Sequence, residues 1–127
     1  MAVIGKKFGA LITKIAGDSL VLYFPQTSNK NDKRVFRNII ECGITMLAAF
    51  NFINSKMSEE GLPSVDYRIS SDYGRSDIAR SHRSNTYDLF GSTMNICAEI
   101  NRIATPNTMV IGGNLYQIIK SFPSFLP

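Results

Sequence analysis

The chain has 127 residues, 44% of them hydrophobic and 19% charged, so it fits one domain with its own core and is unlike a disordered chain. Fourteen Lys and Arg against ten Asp and Glu give a formal net charge of +4, which favours an anionic partner without choosing between a nucleotide, a nucleic acid and a lipid headgroup. The basic residues are scattered and form no arginine-rich arm, which makes nucleic-acid binding a minor alternative.

The first predicted element is a β-hairpin. Residues 8–15 and 19–24 are short, apolar runs rich in β-forming residues, and the link at 16–19 is tight. Asp18 lies at the tip of this hairpin, where an acidic residue is either ordinary turn chemistry or a ligand for a metal. Pro25 ends the second strand, and Asn31 or Asp32 in the polar loop that follows can cap a helix.

A long helix is predicted next, ending at the Gly-Leu-Pro of residues 61–63. Its apolar residues recur mostly at three- and four-residue spacing, which indicates one buried stripe. The residues of this stripe are Val35, Phe36, Ile39, Ile40, Met46, Leu47, Phe50, Ile53 and Met57.

The second half of the chain alternates short strands and helices. Strands are predicted at 65–71, 77–80, 87–90 and 109–111, with 77–80 answering 65–71 across a turn at Gly74, and helices at 92–104 and 114–121. The helix at 92–104 carries an inward row of Met94, Cys97, Ile100 and Ala104, and an outward row of Asn95, Glu99 and Arg102. The pattern is α+β, with an antiparallel or mixed sheet and helices mainly on one face, in a single domain spanning 1–127.

Cysteine usage and apolar runs bear on the cellular compartment. Cys42 and Cys97 lack the spacing of a zinc or redox motif and are interpreted as small buried hydrophobes, which is typical of a reducing cytoplasm. The start of the chain lacks the apolar core of a signal peptide, and the apolar patch at 43–50 is too short to span a bilayer. We therefore expect a cytoplasmic chain without a membrane partner.

Four segments in order resemble the class III adenylyl and guanylyl cyclase catalytic domain. Residues 14–18, Lys-Ile-Ala-Gly-Asp, are similar to its Lys-x-x-Gly-Asp hairpin, and YDLFGSTMNICAEI at 87–100 is similar to its Tyr-Asp-x-Trp-Gly-x-x-Val-Asn-x-Ala-x-Arg stretch. VDYRISSDYG at 65–74 and ATPNTMVIGGNLYQII at 104–119 resemble the family's next strand and its final strand and helix. The resemblance implies a ferredoxin-like, cyclase-type sheet.

The resemblance also implies an activity and a set of site residues. The family closes a nucleoside triphosphate into a 3′,5′-cyclic monophosphate and releases pyrophosphate, using two metal ions (Mg or Mn) at a site shared by two subunits. On this match Asp18 is a metal ligand and catalytic residue, and Asn95 is a catalytic residue that orients the ribose. Lys14 and Asp88 fall on the substrate-binding pair that reads adenine, so ATP is implied, together with a homodimer or a heterodimer with another cyclase-type domain.

Two departures from the family pattern weaken the implied catalysis. No acidic residue precedes Asp18, so the family's first metal-binding Asp, and the strand that carries it, have no counterpart in this sequence. Glu99 stands where the family has the Arg that stabilises charge on the α-phosphate, and a carboxylate there repels what Arg attracts. Arg102, one turn further on, can either compensate for Glu99 or form a local ion pair with it, and the local pair is the simpler account.

Three hypotheses follow for function. The first is an active adenylate cyclase that is completed by a partner or by a longer chain. The second, which the departures favour, is a weak or inactive cyclase homology domain that binds nucleotide or dimerises. The third is an RNA-binding domain that uses the basic residues Arg75, Arg80, His82 and Arg83. Tyr67, Tyr73 and Tyr116 are interpreted as core or rim aromatics in all three.

Overall fold

The computed structural model describes residues 1–16, 19–28, 32–75, 77–80 and 87–122, without the side chains of residues 13–16, 26, 28, 77–80 and 87–90. Its helices and strands in chain order are α1 (Ala2–Lys7), β1 (Leu11–Ala16), β2 (Ser19–Tyr23), a 3₁₀ turn (Pro25–Ser28), α2 (Lys33–Glu59), β3 (Arg68–Ser71), β4 (Asp77–Arg80), β5 (Tyr87–Phe90), α3 (Ser92–Ile103), β6 (Thr108–Ile111) and α4 (Gly113–Ile119). The predicted α+β class is confirmed.

The described strands pair in three two-stranded ladders. β1 and β2 are antiparallel, β4 and β5 are antiparallel, and β3 and β6 are parallel, which gives the mixed, mostly antiparallel pairing expected from the sequence. The prediction that 77–80 answers the strand before it is wrong, because β4 pairs with β5 and β3 pairs with β6. A turn signal reports that the chain reverses, but it does not report which strand becomes the partner.

Helix α2 begins and ends where the sequence predicts. Asp32 is its N-cap, and the Asp32 Oδ1 accepts a hydrogen bond from the Arg34 backbone N–H at 3.2 Å. At the other end Gly61 has a φ of 74°, a conformation that glycine adopts without steric cost. The Leu62 N–H bonds to the Met57 carbonyl at 2.8 Å and the Gly61 N–H to the Ser58 carbonyl at 3.0 Å, which is a Schellman motif.

The predicted buried stripe of α2 is most deeply buried in the first half of the helix, while Leu47, Phe50 and Met57 are half-buried. Val35, Phe36, Ile39 and Met46 are buried, whereas Ile53 is 42% exposed and was wrongly assigned to the stripe. The second half is covered in part by the segment before β3: Phe50 stacks on the buried Tyr67 with ring centroids 4.2 Å apart, and Asn54 hydrogen-bonds to Val65.

The core cluster joins the start of α2 to α4. Phe36, Ile39, Leu115 and Ile119 form its fully buried centre, and Phe36 and Leu115 have 0% and 1% exposure. Around it pack the half-buried Phe24, Ile40, Tyr73, Ile111, Ile118 and Phe122. Burying a large apolar side chain contributes about 1.5–3 kcal/mol, so this cluster is a main source of the stability of the fold.

Two short elements were not predicted. They are α1 and the 3₁₀ turn at Pro25–Ser28, and neither is long enough to repeat an apolar pattern. Tertiary contact explains α1 better than propensity does, because a Cβ built on Gly5 would lie 3.1 Å from the Leu22 side chain of β2. The absence of a side chain at Gly5 thus lets α1 approach the first hairpin closely.

Among the described helices, α2 is long and apolar enough to cross a membrane, by length and composition alone. The apolar patch at residues 43–50, which alone is too short to span a bilayer, is one part of this 27-residue helix. Core helices of soluble proteins can be equally long and apolar. The first half of α2 has a buried face, as such a core helix does.

The close packing of Gly43 in α2 against Met109 can be tested. A Cβ at Gly43 would overlap the Met109 Sδ and lie 2.6 Å from the Met109 Cε on β6. We expect Gly43→Ala to gain less than the up to about 1 kcal/mol of unfolding free energy that the better helix propensity of Ala offers, because the flexible end of the Met109 side chain must move to make room. Urea unfolding followed by circular dichroism measures this change.

The matched control is the same substitution in a Met109→Val background, where the long side chain is shortened. There Gly43→Ala should be more stabilising than in the wild-type background, and the coupling between the two positions is read from the double-mutant cycle. Equal effects of Gly43→Ala in both backgrounds would contradict the proposed contact.

Candidate functional site

The backbone positions of Lys14 and Asp88 lie on neighbouring strands. Lys14 on β1 pairs with Val21, after a register shift between Ile12 and Lys14, and Asp88 on β5 pairs with Ala79. β1 and β5 are in contact, which brings together the two strands that carry the candidate base-reading pair. Their side chains lie outside the described part of the structure, so their roles stay predictions.

Asp18 falls outside the described residues. The last pair of the hairpin that is described, Ala16 with Ser19, brackets the link that contains it. The assignment of Asp18 as a metal ligand therefore remains a prediction from the sequence.

Helix α3, which carries the other candidate residues, is held against β3 by two hydrogen bonds. The Ser70 Oγ donates to the Cys97 carbonyl at 3.0 Å, and the Arg68 Nε donates to the Ala104 carbonyl at 2.9 Å. The helix starts after Gly91, whose φ of 123° is accessible to glycine and rarely to other residues. As predicted, Cys97 lies on the inner side, although it is half-buried rather than fully buried.

The outward row of α3 is exposed to solvent, and Glu99 and Arg102 form an ion pair within it. Asn95 is exposed, and the side chains of Glu99 and Arg102 are 66% and 68% exposed. The local ion pair predicted from the sequence is thus confirmed. The Glu99 carboxylate raises the pKa of Arg102, mainly through a side-chain hydrogen bond, so the guanidinium stays charged and is engaged by its own helix.

The described residues offer few side chains that could act as ligands of a metal ion. Within residues 1–16, 19–28, 32–75, 77–80 and 87–122, no group of three or more His, Cys, Asp and Glu side chains lies close enough to hold an ion. Cys42 is buried and Cys97 half-buried, and burial raises the pKa of both thiols. The Asp72 carboxylate raises the pKa of Cys97 further, so both thiols are neutral at pH 7, as expected for cysteines that act as hydrophobes.

Asp72 is a key residue that sequence reasoning missed. Its Oδ1 accepts a hydrogen bond from the Leu115 N–H of α4 at 3.0 Å, while its Oδ2 is buried and has no hydrogen-bond partner among the described residues. A Cβ at Gly112 would overlap this carboxylate, so glycine is required there. The sequence signals were the Asp just before a turn and the Gly-Gly pair after the last strand, which separately indicate no more than chain reversal.

The basic residues of the RNA-binding hypothesis are mostly not described. Arg75 is exposed, and its carbonyl accepts a hydrogen bond from the Thr93 Oγ1 at 3.1 Å. The Arg80 side chain and all of His82 and Arg83 lie outside the described part. The structure therefore describes one exposed arginine of this set.

Comparison with known proteins finds similarity at the level of structure. No protein-family model matches the chain, and no curated protein sequence matches it significantly. The adenylyl cyclase CyaB from P. aeruginosa superposes with a TM-score of 0.76 at 17% identity, over 95% of this chain and 63% of that one. The guanylyl cyclase Cya2 superposes with a TM-score of 0.71 at 21% identity, over 92% of this chain and 59% of that one.

The chain thus spans about three fifths of the length of these two cyclase structures. Nearly all of its own residues take part in the match, 95% with CyaB and 92% with Cya2. The fold of this chain is that of the class III nucleotidyl cyclase catalytic domain.

Proposed function

We propose that the chain is a cyclase homology domain of cyclic nucleotide signalling that binds an ATP-type nucleotide and pairs with a second cyclase-type domain, while contributing little catalysis itself. The cyclase fold supports the nucleotide, and the Glu99–Arg102 ion pair on α3 supports the loss of catalysis. This ion pair is the observation that carries the proposal.

The charge at position 99 decides how well the domain stabilises ring closure. When the ribose 3′ oxygen attacks the α-phosphorus and pyrophosphate leaves, negative charge grows on the α-phosphate oxygens. Losing one preorganised donor at such a position costs roughly 2.7–4 kcal/mol, or about 10²–10³ in rate. Glu99 adds repulsion to that loss, and Arg102 is already engaged by Glu99.

A metal ion on this chain would rest on Asp18. Mg²⁺ or Mn²⁺ bound there would neutralise charge on the phosphates. A two-metal centre needs several carboxylate oxygens close together, and the described residues supply no such group. A two-metal centre would therefore need ligands beyond the described part of the chain, such as Asp18 and carboxylates of a partner, and we expect weak divalent-cation binding that depends on the triphosphate.

The remaining candidate residues act on the nucleotide itself. Lys14 would donate to a ring nitrogen of adenine and Asp88 would accept from its exocyclic amine, from strands β1 and β5 that lie in contact. Asn95 would orient the ribose from the exposed face of α3. Because such sites are shared between two subunits in the family that this chain resembles, a dimer partner would supply the other half.

The first prediction concerns turnover. Residues 1–127 incubated with Mn²⁺ and ATP should bind nucleotide but release no detectable cyclic AMP, because the α-phosphate donor is replaced by Glu99. Chromatography measures the product, and equilibrium dialysis measures ATP binding with and without Mn²⁺. Asp18→Ala should remove the part of the binding that requires Mn²⁺.

Asp18→Asn is the matched variant that keeps the size of the side chain and removes its charge, so it should behave like Asp18→Ala. If the wild-type chain produced cyclic AMP and Asp18→Ala abolished that production, the proposal that the domain contributes little catalysis would be wrong. That result would favour instead an active adenylate cyclase, the alternative in which a partner completes the site.

The second prediction concerns Glu99. Glu99→Gln should tighten ATP binding about two- to fivefold at low salt, since it removes an exposed negative charge near the triphosphate and frees Arg102. Glu99→Arg should tighten it further. Isothermal titration calorimetry at two ionic strengths measures both changes, which should shrink as salt screens the charges.

Glu41→Gln on α2 provides the matched control, because it changes the net charge by the same amount at another exposed glutamate. An equal gain from Glu41→Gln and Glu99→Gln would show that overall charge, and not the outward face of α3, attracts the nucleotide. Such a result would remove the argument that places the α-phosphate beside Glu99.

A further inference from the structure

Helix α2 carries a row of exposed residues on the side opposite its buried stripe. Its members follow one another at steps of four or seven residues, which are one or two turns, so they lie in one line along the helix. They are Arg37, Ile44, Ala48, Phe52 and Glu59, and all five are exposed to solvent. The buried Ile39 lies nine residues before Ala48, which is two and a half turns and therefore the opposite side of the helix. We call these five residues the exposed row of α2.

The middle of the exposed row is apolar. Ile44 is 56% exposed and Phe52 is 64% exposed, and the exposed Ala48 lies one turn from each of them. A single exposed hydrophobic side chain is ordinary, whereas apolar side chains lined up over successive turns form a continuous strip that another surface can shield from water. The Lys56 ammonium lies 5.7 Å from the centroid of the Phe52 ring, and the ring stays mostly exposed beside it.

The two ends of the exposed row carry opposite charges. Arg37, together with Lys33 and Arg34, makes the first turns of α2 basic. At the other end stands Glu59, whose ion pair with Lys56 at 3.7 Å is exposed and therefore weak. The exposed row thus runs from a basic end through an apolar middle to an acidic end.

This placement of charge does not serve the helix itself. Because of its macrodipole, a helix is stabilised by acidic side chains in its first turn and by basic ones in its last turn. α2 has no acidic residue in its first turn and ends at Glu59, which Glu60 follows, with Lys56 as the basic residue of its last turn. A partner that presents acidic groups to the first end and basic groups to the second would remove most of this mismatch.

We propose that the exposed row of α2 binds a second copy of this chain, with the two α2 helices antiparallel and a two-fold axis beside Ala48. Residues at equal distances from the axis then meet. Arg37 and Glu59 are each eleven residues from Ala48, so each Arg37 faces Glu59 of the partner subunit. Ile44 and Phe52 are each four residues from Ala48, so each Ile44 packs against Phe52 of the partner subunit. The small side chain of Ala48 lets the two helices approach closely at the axis.

The symmetry of the exposed row favours a second copy over other occupants. A two-fold contact requires that a surface accept what the same surface offers, and both the charged and the apolar members of the row meet this condition. A segment of the same chain or an unrelated protein would need no such symmetry. Antiparallel helices also place the opposite ends of their dipoles side by side. This contact goes beyond the pairing of cyclase-type domains proposed above, because it is assigned to the outer side of α2.

Sedimentation equilibrium of residues 1–127 between about 10 and 500 µM tests for this dimer. A contact along one helix face lies at the low end of interface sizes, so we expect a dissociation constant on the order of 100 µM. Ala48→Arg should weaken the dimer at least about tenfold, because two guanidinium groups would meet at the axis. Arginine is a good helix former, so α2 should persist in this variant, which circular dichroism checks. As the matched control, Ala98→Arg makes the same substitution at an exposed position of α3 and should leave the dimer unchanged.

An exchange of charges tests the antiparallel register. Arg37→Glu should weaken the dimer about three- to tenfold, because two carboxylates then face each other at both ends of the contact. Adding Glu59→Arg in the same chain should restore the dissociation constant to within about twofold, since the two charges have only changed places. In a parallel pair each Arg37 would face its own copy, and the second substitution would restore nothing.

Four results would overturn the proposal. They are a chain that stays monomeric up to about 500 µM, a dimer that Ala48→Arg leaves intact, a dimer that Ala98→Arg weakens as much as Ala48→Arg does, and a charge exchange that restores nothing. A monomeric chain that floats with phosphatidylcholine vesicles, and no longer floats after Ala48→Arg, would assign the exposed row to a membrane instead. ATP binding, followed in the same samples by equilibrium dialysis, reports on the proposed function separately, because its absence beside an intact dimer would contradict that function alone.

Discussion

One carboxylate joins three elements of this fold. Asp72 stands at the end of β3, accepts a hydrogen bond from the first turn of α4, and lies close enough to Cys97 of α3 to raise the pKa of that thiol. Gly112 leaves the space that the carboxylate occupies. Because α4 brings Leu115 into the core, the position of α4 depends on this contact, while Ser70 and Arg68 of β3 hold α3 beside it. Its second oxygen is buried and has no partner among the described residues, so this acceptor has lost its water without gaining a hydrogen bond there.

The sequence was informative wherever the signal was local. The cap at Asp32, the stop at Gly61 and the ion pair between Glu99 and Arg102 depend on residues within a few positions of each other, and all three are observed. Strand partners depend on contacts between distant segments, so the partner of β4 was predicted wrongly. The outer half of α2 was overestimated for a related reason, since periodicity shows which face is apolar but not how far the covering elements extend.

For the candidate site too, the sequence predicted what depends on local motifs and missed what depends on distant contacts. The order of the four similar segments predicted the cyclase fold, because each motif occupies one hairpin, strand or helix start and the fold fixes their sequence. The roles of Lys14, Asp18, Asp88 and Asn95 depend on side-chain geometry and on a second subunit, which a single sequence does not determine. Asp72 escaped notice because its partners, Gly112 and Leu115, lie about forty residues away.

Nucleotide binding and ring closure place different demands on the charges at the proposed site. Binding a triphosphate requires mainly an attractive field and a place for the base, whereas ring closure requires donors placed where new charge appears. Under the proposed function, Glu99 would oppose the second requirement far more than the first; its observed ion pair with Arg102 keeps a local balance of charge on α3. A domain of this kind can retain nucleotide recognition after catalysis has been lost.

The three two-stranded ladders have a practical consequence for handling the protein. Each described strand has a ladder partner on one side only among the described residues, and strand sides without a partner pair readily with strands of other molecules. β3 is four residues long and has one described partner, β6. Purified alone and concentrated, the chain is thus prone to stacking strand against strand, and its solubility will depend on whether another polypeptide covers those sides.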